Sequence, residues 1–156
     1  MGTGVSLLSA VPKGEARAAS NVDALLLSCM DFRLMDNIEQ YMAGRGLRDN
    51  YDHLILAGAS LGALTEKYPA WNRTFWDHLD VAIKLHNNKT VLVMDHRDCG
   101  AYKVILGEDF GKMPEKETKV HAEHLKKLKS AIAKKYPALK VETLLMALDG
   151  TVETIA

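Results

Sequence analysis

Apolar residues cluster in short runs at 24–27, 54–57, 91–94 and 144–148, inside segments 23–28, 53–57, 90–94 and 141–148 that are read as strands. Runs of this length, apolar without alternation, mark strands covered on both faces. Between them the period lengthens. Leu34, Ile38, Tyr41 and Met42 recur at three-to-four spacing, which predicts a helix over 34–43 closed near Gly44. Phe75, Leu79, Ala82, Ile83 and His86 form one face of a helix over 70–86. Leu125, Leu128, Ile132 and Tyr136 form one face of a third helix over 117–136, ended by Pro137. Residues 95–100 are expected to be a turn, and the polar segment 107–118 a loop. Asp149-Gly150 predicts a two-residue hairpin turn into a last strand over 151–155.

Strands alternating with helices predict an α/β fold with a central, mostly parallel sheet, strand order 2-1-3-4, a short antiparallel edge strand and flanking helices. Residues 1–20, with three glycines, a proline and many small side chains, are expected to be a flexible N-terminal arm. Residues 21–156 then make one α/β domain.

Charge and composition narrow the function. Twenty basic and twenty acidic residues cancel. A chain without a net positive field is a poor match for a phosphate backbone, so no nucleic-acid partner is expected. No apolar stretch approaches about 18 residues, so no membrane span is expected. The chain carries two cysteines, Cys29 and Cys99, and no apparent leader. A cytoplasmic location is therefore expected, where thiols are free, metal-bound or catalytic.

Both cysteines fall at the carboxyl ends of predicted strands, where open α/β sheets bind their ligands. Cys29-Met30-Asp31-Phe32-Arg33 follows strand one, and Asp95-His96-Arg97-Asp98-Cys99-Gly100 follows strand three. In a 2-1-3 order these ends are neighbours. Two thiolates and an imidazole form a first shell suited to zinc, with a fourth position left for water or for Asp31. Taken singly, each cysteine could equally be a small buried core residue. Taken together with His96, Asp31 and Arg33, a metal site is the better account. Arg33 beside Asp31 would keep the carboxylate ionised.

These motifs resemble those of the β-class carbonic anhydrases, whose signature is Cys-x-Asp-x-Arg after the first strand and His-x-x-Cys-Gly after the third. The likeness extends through Ala57-Gly58 and the strand pair around Gly150, and so covers most of 22–156. It implies one zinc ion per chain held by Cys29, His96 and Cys99. Asp31 would be a catalytic hydrogen-bond acceptor or the fourth ligand, and Arg33 would hold Asp31 off the metal. The implied reaction is reversible hydration of CO2 to bicarbonate, in a homodimer or larger homo-oligomer. This chain has Phe32 inside the first motif and Leu56 where the family carries Asn. Those differences leave two alternatives: hydrolysis of carbonyl sulfide or carbon disulfide, and a non-catalytic zinc module.

Other features suggest less. His121 and His124, three apart, are expected on a solvated helix face, as are the nearby lysines. Gly58-x-x-x-Gly62 lacks the rest of a phosphate loop and is expected to let backbone pass close to the metal site or a partner. Trp71, Phe75 and Trp76 are expected to be core or interface residues. No proton-carrying role is assigned to His53, His78 or His86.

Overall fold

The computed structural model describes residues 21–155. The predicted N-terminal arm, 1–20, lies outside the described residues. Strands β1 (Ala24–Ser28), β2 (Tyr51–Ile55), β3 (Thr90–His96), β4 (Lys140–Met146) and β5 (Val152–Thr154) form one sheet in the order β2-β1-β3-β4-β5. All neighbours are parallel except β4 and β5. The α/β fold and the strand order are as the sequence predicts.

Alternation along the central strands divides the core in two. Leu25, Leu27, Val91 and Val93 face one side with Phe75, Leu79, Tyr102, Leu125, Leu128 and Ile132. Those residues belong to α3 (Pro69–His86), α4 (Gly100–Leu106) and α5 (Pro114–Lys135). Leu26, Leu92, Met94 and Met146 face the other side, under Ile38 and Met42 of α1 (Met35–Gly44). Both sides of the sheet are thus covered, which is why the strands read as unbroken apolar runs.

Local differences from the sequence reading have physical causes. β2 begins at Tyr51 rather than at 53 and ends at Ile55; it is an edge strand with Leu54 as its one buried residue, so the apolar run at 53–57 marks only part of it. The segment 95–100 is not all turn. Asp95 and His96 continue β3, paired with Leu145 and Met146 of β4. α4 follows at once, unpredicted. A five-residue helix, α2 (Ser60–Leu64), opens after Gly58. α5 starts at Pro114, within the expected loop, with Pro suited to the first helical turn. The β4–β5 connection is longer than two residues. Gly150 N–H donates to the Ala147 carbonyl, Ala147 N–H donates to the Thr151 carbonyl, and Gly150 takes the left-handed position at φ +87°. At the end of α1 the left-handed residue is Gly46, not Gly44.

Candidate metal centre

β1 and β3 lie side by side in register, Ser28 opposite Met94. The residues that follow them therefore meet. One ligand-type atom from each of Cys29, His96 and Cys99 falls within 4.8 Å of the others, and all three residues are buried. The two sulfurs are 3.9 Å apart and unbridged.

The polarity of each group is already set. His96 Nδ1 donates to the Arg97 carbonyl at 2.8 Å, which leaves Nε2 with its lone pair. That Nε2 is sealed from solvent and has no hydrogen-bond partner among the described residues. A buried, unpartnered acceptor beside two buried sulfurs is costly unless a cation fills the gap. The donor set, S₂N with one nitrogen fixed from behind, fits a tetrahedral zinc site. The Cys29 sulfur sits well below the ordinary thiol range, chiefly through its hydrogen bond with the Cys99 thiol, with the Gly58 N–H adding to the effect. Cys99 is pushed up in return.

Gly58 approaches the site as its sequence context predicts. Its N–H donates to Cys29 Sγ at 3.2 Å, its φ is +77°, and a Cβ there would meet Ala101 Cβ at 3.3 Å. Glycine is required both by the left-handed backbone and by the close approach.

Asp31 and Arg33 lie at the rim. Asp31 caps a single 3₁₀ turn, Phe32–Leu34, so the pair is joined across a turn rather than along extended backbone. Asp31 accepts three hydrogen bonds from Arg33: backbone N at 3.0 Å, Nε at 2.9 Å and Nη2 at 2.8 Å. These hold its carboxyl down to about 2. Asp31 Oδ2 is 3.8 Å from His96 Nε2, close enough to be an alternative fourth ligand. Arg33 also reaches the second loop, donating from Nη1 to Asp98 Oδ2 at 2.8 Å and from Nη2 to the Asp98 carbonyl at 3.0 Å. Asp98 adopts φ +54°, and its N–H donates to the buried Glu117 at 2.6 Å.

The sequence reading missed a second layer. Asp95 is buried on the α2/α5 side of β3. It accepts from Ser60 N at 2.9 Å, Ser60 Oγ at 2.6 Å, Tyr102 Oη at 2.7 Å and His121 Nδ1 at 2.9 Å. His121 is therefore not on a solvated face: it is 1% exposed, with its ring 4.0 Å from that of Tyr102. The signal was present. Stepping the α5 stripe back from Leu125 by four and four again lands on His121 and Glu117, both buried. His124 is half-buried and the lysines of that helix lie mostly outside, as expected. Phe75 is core, while Trp71 lines an apolar hollow with Tyr68, Met30, Phe32 and Val104.

A cavity of about 450 Å³ opens on the site, walled by Asp31, Phe32, Arg33, Cys99, Phe110 and His121 among others. No described helix is long and apolar enough to cross a membrane.

The family described as putative carbonic anhydrase matches residues 19–156. An uncharacterized protein of Rickettsia conorii is 44% identical over 139 residues, covering 89% of this chain and 75% of that protein. Among solved structures, a carbonic anhydrase from Streptococcus mutans superposes with a TM-score of 0.53 at 18% identity, covering 88% of this chain and 84% of the other. A β-carbonic anhydrase from Trichomonas vaginalis gives 0.54 at 16% identity, covering 85% and 81%. At those identities the likeness is one of fold.

Proposed function

This chain belongs to the putative carbonic anhydrase family, and from that premise we propose that it catalyses the reversible hydration of CO2 to bicarbonate with one zinc ion held by Cys29, His96 and Cys99. The observation that carries the reading is the sealed, unpartnered Nε2 of His96 beside two buried sulfurs. A zinc ion there supplies Lewis acidity, which makes water a competent nucleophile near neutral pH.

The chain's own groups do the rest. Asp31, kept ionised by Arg33, accepts a hydrogen bond from the water that adds to CO2 and so fixes the direction of its lone pair. Arg33 keeps that carboxylate at the rim. The aromatic faces of Phe32 and Phe110 give the uncharged substrate an apolar wall, and Arg33 and Lys103 present positive charge to the product anion. The same reading carries a homodimer or larger homo-oligomer and a cytoplasmic location. Exposed Phe32 (85%), Met30 (65%) and Val104 (63%), which line the apolar hollow beside the site, support the oligomer.

A second reading has its own support. Asp31 Oδ2 lies as near His96 Nε2 as the two sulfurs lie to each other. A swing of that carboxylate onto the metal would give a four-ligand, non-catalytic site. Stopped-flow CO2 hydration on zinc-loaded protein separates the two. Catalysis predicts a rate well above buffer that is lost in Asp31→Ala and Arg33→Ala while one zinc per chain is kept. No rate at any pH with zinc bound would refute hydration, and turnover of carbonyl sulfide or carbon disulfide would then be measured.

A further inference from the structure

Each bicarbonate formed from CO2 and water releases one proton, which must pass to a base and on to solvent. A buried imidazole outside the ligand set is placed to receive it. His121 projects from α5 into the region between β3 and α4, 1% exposed. Its Nδ1 donates to Asp95 Oδ2, and every other partner of that carboxylate is also a donor: Ser60 N, Ser60 Oγ and Tyr102 Oη. The Nδ1–H tautomer is thereby fixed, and Nε2 carries the lone pair. Nε2 has no hydrogen-bond partner among the described residues, while His121 lines the same cavity as Asp31, Arg33 and Cys99. A base oriented from behind by a carboxylate, with its free nitrogen left for a cavity, is the arrangement that proton transfer requires.

We propose that His121 is the proton acceptor of this site, oriented by Asp95; the inference rests on the hydration reading above. An O–H bond of a cavity water breaks with its electron pair left on oxygen, and an N–H bond forms at Nε2 from the imidazole lone pair. The resulting imidazolium is stabilised by Asp95. It returns its proton to a buffer base from solution, which restores the neutral ring.

The test compares unaltered protein with His121→Gln, both zinc-loaded, in dilute and in concentrated buffer. In dilute buffer kcat should fall by about tenfold or more, with kcat/KM little changed, because proton export limits turnover and not the CO2 step. Added imidazole should restore kcat. Equal loss of kcat and kcat/KM without rescue, or no loss in dilute buffer, overturns the role of His121 alone. Absence of hydration by the unaltered protein in concentrated buffer overturns the hydration reading and this inference with it. A measurement independent of activity and of any variant is the ¹⁵N spectrum of the histidine side chains of the unaltered protein. His121 should show protonated Nδ1 and bare Nε2; the opposite tautomer overturns the proposal.

Discussion

Gly58→Ala tests how tightly the backbone is drawn against the metal centre. Gly58 has φ +77°, and the left-handed region costs an alanine about 1–2 kcal/mol. The new Cβ would also press on Ala101 Cβ at 3.3 Å, tighter than ordinary contact. If the loop holds its place, the zinc-loaded protein loses about 1–2 kcal/mol of stability. If instead the loop relaxes, Cys29 Sγ loses the N–H at 3.2 Å. A hydrogen bond to a charged acceptor is worth about 1.5–3 kcal/mol, which is about ten- to a hundredfold in zinc affinity. Either way the two effects are separable: urea unfolding reads the first, and competition with a chromophoric chelator at fixed pH reads the second. Gly44→Ala is the control, since a Cβ there meets nothing within 4 Å and the residue sits in a helix; it should be neutral or mildly stabilising. Unchanged stability together with unchanged zinc affinity in Gly58→Ala would refute the argument.

Further expectations follow from other parts of the molecule. Arg45 holds the Glu142 carboxyl down to about 2 through its hydrogen bonds, aided by Lys140. A depressed carboxyl stabilises the fold above its unfolded value of 4.5 and loses that contribution as pH falls from there toward 2. Arg45→Met should therefore cost about 1–2 kcal/mol at neutral pH, after allowance for screening, and the gap should close in acid; a urea midpoint difference that persists to low pH would contradict this. Leu92→Ala, in the fully buried middle of β3, should cost about 2–5 kcal/mol in urea unfolding. Phe32→Ser removes an 85% exposed side chain, so thermal stability of the protomer should move by less than about 0.5 kcal/mol. Sedimentation should nevertheless shift toward smaller species if Phe32 belongs to a subunit interface.

The sheet and the three candidate ligands were legible because one physical fact marks both. Strands covered on two faces must be apolar throughout, so Leu25–Leu27 and Val91–Val93 stand out, and the polar clusters that interrupt them mark the strand ends. Elements that bury little were not legible. α4 spans seven residues, buries Tyr102 and leaves Val104 and Leu106 exposed, so it has no apolar stripe to detect. β2, at an edge with one buried side chain, is legible from residue 53 onward, and its first two residues are not. His121 escapes a reading by polarity, in which a polar residue on a helix is solvated, although its position continues the buried stripe of α5. Its partner Asp95 could be placed only once β3 was known to run two residues further than its β-branched core. Asp98 in the left-handed region carries only a weak signal, since aspartate visits that region less readily than glycine.

The unequal lengths of β1 and β3 give the candidate ligands unequal footing. β1 stops at Ser28, one residue before Cys29, and Cys99 comes after a loop that leaves the sheet at Arg97. His96 is still hydrogen-bonded into the β3–β4 ladder, opposite Met146. An ion held by all three would clasp one anchored post to two movable arms. Stripping it should free the amides of the two cysteine loops to exchange with solvent, while those of β3 and β4 remain as slow as the core. Metal occupancy would then be written in the hydrogen-exchange pattern of a few residues, with the sheet itself indifferent to it.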